Sequence, residues 1–190
     1  MFKMTKLNYE KKSDLLLTGD YKFQIALDLV SRISKGKIWL IGSGVYKNLL
    51  KIKHGINLSL DDYDFVVEEM KKPLPKLKGW EISENTFGNL RFKKDGITVD
   101  PVPLNNMLLL KEWGWKPNIR NYMRQVGFSV QAIAFDVNKK KIVGGKAIQD
   151  ISKKVIRINN KRNYEWAVAK YGEKVSLRAM SKKLHLKPIN

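Results

Sequence analysis

The sequence predicts an α+β domain, and three stretches carry that expectation. Asp20 to Ile33 spaces Phe23, Ile25, Ala26, Leu29, Val30 and Ile33 at roughly helical intervals, which predicts an amphipathic helix. Lys37 to Leu50 reads as a short strand, a small-residue turn and a helix. Leu90 to Val99 reads as two strand arms about an Asp-Gly turn, a strong hairpin signal. At 190 residues with 43% hydrophobic side chains, the chain has the size and composition for one well-buried globular core.

In chain order, Ser34 to Lys37 interrupts the first helix, Ile38 to Ile41 forms a buried strand, and Gly42, Ser43 and Gly44 make the turn. A helix then opens at Val45 and runs through Leu50. Free amides and the positive dipole end at such a helix start suit a phosphate, although glycine also serves merely to fit a tight backbone.

The next strand is the most unusual stretch. Asp61 to Glu69 places five acids in nine positions of a chain whose formal charge is +19. Phe65, Val66 and Val67 mark a buried strand, so Asp62 and Asp64 share one face while Tyr63 takes the other. Asp61 is read as a turn residue. Two adjacent carboxylates repel unless a cation separates them, and Mg²⁺ or Mn²⁺ is the expected one, held with substrate phosphates. That pairing points to phosphoryl or nucleotidyl transfer. A bare D-x-D is short, and a solvated strand entrance carries the same letters.

KKPLPKLKGW is expected as a surface loop, followed by a hairpin with a Lys94, Asp95, Gly96 turn. Asp100 ends its second arm, before Pro101 and Pro103 stop regular pairing. Beside the Asp62 strand, Asp100 would complete a three-carboxylate site for two metal ions; a turn cap before proline is the competing reading. Trp113 and Trp115 near Lys116, Arg120 and Arg124 suit base stacking and phosphate contact, or cover a core edge. Phe128 to Val137 is an apolar strand or strand-to-helix element, NKKK its turn, and a short strand, a Gly144, Gly145 turn, a short helix and a final strand follow. The last thirty residues read as helical and basic, with Tyr164, Trp166, Val168 and Leu177 as the apolar positions.

The excess charge points to a polyanionic partner, and nucleic acid is the expected one. From Lys139 onward fifteen Lys and Arg face only Asp150, Glu165 and Glu173. Lys153, Lys154, Arg157, Lys161, Arg162, Arg178, Lys182 and Lys183 are the candidate contacts. There is no cysteine, so neither disulfides nor thiolate metal sites arise. The first twenty residues lack the pattern of a secretory signal, and no apolar run approaches membrane-spanning length, so a cytoplasmic protein without membrane contact is expected.

Together these pieces resemble the head domain of the tRNA nucleotidyltransferase and bacterial poly(A) polymerase family, within the DNA polymerase beta-like nucleotidyltransferase superfamily. WLIGSGVYKNLL is similar to the family's strand, glycine turn and helix, and DDYDFVV to its metal-binding strand. NTFGNLRFKKDGITVD is similar to the hairpin beyond it. FSVQAIAFDVNKKKIVGGKAIQDISKKVIR resembles the segment written FTINALAYD followed by IIDPFGG, and SLRAMSKKLHLKP the opening of the neck helices. The resemblance implies a small mixed sheet flanked by helices over residues 1–160, and a short basic helical tail over 161–190. It further implies Asp62, Asp64 and Asp100 as catalytic metal ligands, with Gly42 and Ser43 near a nucleoside triphosphate; Lys47 and Arg124 are the candidate phosphate cations.

Several family positions differ. Tyr46 and Lys47 replace Arg-Asp, Gln125, Val126 and Gly127 replace Arg-Arg-Asp, and Gln131 replaces the Asn of INAL. The neck breaks off near Asn190, so a protein partner supplying neck or body functions is expected. The leading expectation is NMP transfer from an NTP to an acceptor hydroxyl at an RNA 3′ end. A catalytically reduced RNA-binding or ribonucleoprotein subunit on the same fold is the alternative, and transfer to a protein or small molecule a third.

Overall fold

The computed structural model describes residues 6–60 and 62–189. The segment before Lys6, Asp61 with its expected turn, and Asn190 lie outside the described residues. Two helices, α1 (Lys6–Thr18) and α2 (Tyr21–Ile33), lead into strand β1 (Ser34–Ile41) and helix α3 (Ser43–His54). Asp20 starts α2 as predicted, its carboxylate accepting from the Lys22 and Phe23 amides. Strands β2 (Asp62–Met70), β3 (Glu81–Glu84), β4 (Leu90–Lys94) and β5 (Ile97–Pro103) follow. Short helices α4 (Leu108–Glu112) and α5 (Ile119–Gln125) precede β6 (Ala134–Asp136), β7 (Lys141–Val143), α6 (Gly145–Ser152) and β8 (Val155–Ile156). Helices α7 (Lys161–Tyr171) and α8 (Leu177–Leu184) and strand β9 (Lys187–Pro188) complete the chain.

Seven strands form one mixed sheet in the order β3-β4-β5-β2-β1-β6-β7, with β2 and β5 parallel and the other pairs antiparallel. Strand alternation gives its faces different jobs. Tyr63, Phe65 and Val67 of β2, Leu40 of β1, Phe92 of β4 and Val99 of β5 join Phe23, Leu29, Ile33 and Leu49 in the main core. The opposite face carries a smaller cluster of Trp39, Ile41, Val66, Leu104, Met107 and Leu110, and covers only part of the sheet. Asp62 and Asp64 share the parity of Val66, so burying the main core forces both acids toward that less covered side.

Three local expectations change. Ser34 to Lys37 is the start of β1, because Ser34 and Lys35 pair with Met70 and Glu69. A bulge intervenes at Gly36, whose positive φ of 76° favours glycine and where a Cβ would displace the Glu68 side chain. Helix α3 begins at Ser43, two residues before Val45, since the Gly42 carbonyl already accepts from the Val45 and Tyr46 amides. Pro101 and Pro103 do not stop pairing: β5 continues beside β2, with Phe65 opposite Pro101 and Val67 opposite Pro103. Strand β4 pairs only as far as Val99, so beyond that point a proline lacking N–H faces no ladder on that edge.

The basic tail packs back onto the body through two of the expected apolar side chains, Tyr164 and Leu177, and through three further ones. Met180, Leu184 and Leu186 enter the main core, whereas Tyr164 and Leu177 are half-buried and Trp166 is 37% exposed. Pairing of β9 with β8 in a separate parallel ladder fixes this return. Among the described residues no helix is long and apolar enough to cross a membrane.

Candidate active-site cleft

Parallel pairing of β2 with β5 places Asp64 directly opposite Asp100, and Asp62 opposite Thr98. Asp62 lies two residues before Asp64 on the same face, so the sheet gathers all three predicted acids at one place. Asp62 is exposed, Asp64 half-buried and Asp100 buried. Above Asp64 and Asp100 opens a cleft of about 580 Å³, whose walls include Gly42, Ser43, Arg91, Gln125 and Trp166.

The glycine turn forms the wall nearest the acids. A Cβ on Gly42 would stand 3.2 Å from Asp64 Oδ2, and its φ of 57° is itself a glycine conformation. Any side chain there meets both objections at once. Gly44 is excluded from substitution differently, since its Cβ would come 2.9 Å from the Leu40 side chain where α3 packs on β1.

Electrostatics mark Asp64 as the stressed member. Burial, then the charges of Asp100 and Asp62, push its carboxyl up to about 7, against the lowering influence of Arg91 and Lys47. Burial and then the Asp64 charge push Tyr46 up to about 12, and the same causes, with Tyr46 adding to them, hold Tyr122 well above the usual phenol range. Both phenols therefore stay protonated beside the acid.

Asp100 has a partner that the sequence reading missed. Arg91 donates from Nε to Oδ1 at 2.9 Å and from Nη2 to Oδ2 at 2.6 Å, a bidentate ion pair with Arg91 38% and Asp100 10% exposed at the side chain. The pairing holds the guanidinium in its charged form more firmly still. A signal existed: a two-residue Asp95-Gly96 loop sets Lys94 against Ile97 and Phe92 against Val99, and continuing that count one step outward brings Arg91 to Asp100, although the backbone ladder itself stops at Val99.

Among the described residues no group of three His, Cys, Asp or Glu side chains stands ready to hold a metal ion. The donor set fits a divalent cation at Asp62 and Asp64, where two hard oxygen ligands repel one another and one is destabilised as an anion. Asp100 fits less well, because both of its oxygens already accept from Arg91.

The other candidates divide. Gly42 and Ser43 line the cleft. Lys47 approaches Asp64 electrostatically, and its Nζ donates to the Ser59 carbonyl at 2.6 Å. Arg124 stacks 4.5 Å from the centre of the Trp115 ring and donates to Asn121 Oδ1 at 3.3 Å. Arg162 likewise lies 5.1 Å over Trp113, and the two tryptophans meet edge to face at 5.0 Å. Arg157 is spent internally: it donates from Nε and Nη2 to buried Asp150 at 2.9 and 2.6 Å. Lys153, Lys154, Lys161, Arg178, Lys182 and Lys183 are exposed. Gln125, also missed, lines the cleft with a buried Oε1 that has no hydrogen-bond partner among the described residues.

No protein-family model matches the chain, and no curated protein matches it in sequence. Solved structures do match. A Thermotoga maritima CCA-adding enzyme complexed with tRNA has 16% identity and a TM-score of 0.61, over 94% of this chain and 42% of its own. A Bacillus stearothermophilus CCA-adding enzyme in complex with CTP has 15% identity and a TM-score of 0.61, over 90% and 41%. A tRNA nucleotidyltransferase complexed with a primer tRNA and an incoming ATP analog has 16% identity and a TM-score of 0.52, over 81% and 44%. The chain thus spans about two fifths of the length of these proteins. At such identity the likeness establishes the fold, which is the nucleotidyltransferase fold that the sequence resemblance implied.

Proposed function

We propose that this chain is a metal-dependent nucleotidyltransferase that passes a nucleoside monophosphate from an NTP to an acceptor hydroxyl, with an RNA 3′ end as acceptor. The observation that carries the reading is the juxtaposition of Asp64 with Asp100 across parallel strands, with Asp62 beside them, under a cleft walled by a glycine turn and a helix start. Asp62 and Asp64 would hold Mg²⁺ or Mn²⁺. Bound there, the ion would neutralise triphosphate charge and favour ionisation of the attacking hydroxyl.

The chain's own groups supply the positioning. Amides at the start of α3, beside Gly42 and Ser43, face the phosphates with the positive end of the helix dipole. Gln125 Oε1, which lacks a donor, accepts from a hydroxyl or amino group of the bound nucleotide. The acceptor hydroxyl gives up its proton to water as its oxygen attacks the α-phosphorus, the bond to the bridging oxygen breaks, and pyrophosphate leaves with that electron pair. We assign this chemistry to residues 1–160, in the cytoplasm, and RNA contact to the exposed basic side chains of Lys153, Lys154, Lys161, Arg178, Lys182 and Lys183.

The direct test incubates the purified chain with each labelled NTP, Mg²⁺ or Mn²⁺ and an RNA acceptor, beside Asp62→Asn and Asp64→Asn. Incorporation that both substitutions abolish supports the reading; incorporation that survives them rejects the site. The Arg91 pairing of Asp100 favours a second reading, an RNA-binding protein that keeps the fold without the chemistry. RNA binding with no incorporation for any NTP would select it.

A further inference from the structure

The cleft holds one feature that a three-carboxylate, two-metal centre does not explain, the Arg91–Asp100 pair. A second divalent ion in such a centre sits about 3.5–4 Å from the first and binds oxygens of the shared carboxylates. Here the Asp100 oxygens accept Nε–H and Nη2–H at 2.9 and 2.6 Å, and Nε also lies 3.3 Å from Oδ2. Arg91 remains charged at any working pH, so a second ion at Asp100 would have to displace or adjoin a fixed positive charge.

The pair is also built into the sheet. Arg91 directly precedes Phe92, the last β4 residue paired with β5, and Asp100 directly follows its partner Val99, so the side chain of Arg91 starts next to the carboxylate it binds. Arg91 lines the cleft together with Asp64, Gly42 and Ser43. Its Nη1 carries two further N–H groups beyond those that bind Asp100.

We infer that the centre takes one divalent cation, at Asp62 and Asp64, and that Arg91 occupies the place of the second. This rests on the nucleotidyltransferase reading but adds to it a stoichiometry and a role. Arg91 holds Asp100 as a positioning residue and presents its remaining N–H groups to the phosphates of the NTP. It thereby supplies the cationic side chain among the described residues that line the cleft, where Tyr46, Tyr122 and Gln125 are uncharged.

The test is the count of Mn²⁺ bound by the full chain, read as loss of the free-ion electron paramagnetic resonance signal at pH 8 with the metal alone. One equivalent is expected for the unsubstituted chain and for Arg91→Lys, and none for Asp64→Asn. Arg91→Met is expected to acquire a second equivalent as Asp100 is released. Two equivalents on the unsubstituted chain, or a count that stays at one in folded Arg91→Met, would overturn the inference while leaving the nucleotidyltransferase reading intact. Absence of any Mn²⁺ binding, or binding unaltered by Asp64→Asn, would instead remove the metal site on which both depend.

Discussion

Among the described residues stand two arginine–carboxylate forks of nearly identical geometry, Arg91–Asp100 in the cleft and Arg157–Asp150, which joins the residue after β8 to α6. In each, Nη2 meets a carboxylate oxygen at 2.6 Å and Nε completes the fork at 2.9 Å. Their surroundings differ. Asp150 is 3% exposed at the side chain and lies outside the cleft, so its fork closes a local account of charge and ties α6 to the strand after it. Asp100 stands opposite Asp64, which stays electrostatically stressed even with Arg91 present. On the proposed reading, the same contact is structural where the acid is alone and serves the site where unmatched acids remain beside it.

The widest separation between the two regions is expected in catalysis. Asp64→Asn should lower NMP incorporation by at least about 10²-fold, the scale of losing one electrostatic stabiliser of the reaction. Asp150→Asn, by contrast, should leave the rate per folded molecule within about 2-fold, checked by incorporation normalised to the folded fraction. Comparable losses would erase the distinction.

Stability should reverse the ranking. Asp150→Ala strands the half-buried Arg157 guanidinium and should cost about 3–5 kcal/mol in urea unfolding. Asp100→Ala should cost less, about 1–2 kcal/mol, because Arg91 is 38% exposed at the side chain and Asp64 loses a repelling neighbour.

A pH titration sharpens the contrast further. Asp64 is pushed up to about 7 in the folded chain from an ordinary value near 3.8, so between those values the folded state binds the extra proton. Stability therefore falls as pH rises through that window, by roughly 1–3 kcal/mol without metal, and is fully present only below it. Melting curves from pH 4 to 8 in chelator should show the decline, Asp64→Asn should flatten it, and Mg²⁺ should offset it at pH 8. A profile that rises over this range would contradict the stressed-acid account.

The smallest effect concerns the cleft mouth. Lys170 lies 5.0 to 5.4 Å from the ring centres of Trp166, Phe87 and Tyr171, joining α7 to the β3–β4 loop. Lys170→Ala should cost about 0.5–1 kcal/mol in unfolding, at or below the cost expected at either fork.

Legibility followed the range of the interaction that decides each feature. That Asp62 and Asp64 share a face needs only strand alternation over three residues, and it was read from the letters. The nearness of Arg91 to Asp100 was equally available, but a turn taken as Lys94, Asp95 and Gly96 hides the count that a two-residue loop reveals. Arg157 misled in the opposite direction: a surplus of positive charge identifies a polyanion-facing protein but not which arginine a buried acid has claimed. Pro101 and Pro103 misled too, because a proline ends a strand only where its missing N–H has a neighbour waiting.

The sequence by itself determined the α+β class, the acidic strand, the glycine turn before α3 and the basic tail, since each follows from local periodicity, turn chemistry or composition. Tertiary structure alone decided that Asp100 stands against Asp64, that a cleft opens above them, and that Met180, Leu184 and Leu186 rather than Trp166 anchor the tail. Those outcomes depend on pairing and burial between segments tens of residues apart, where packing of the shared core selects among arrangements that local preference leaves equal.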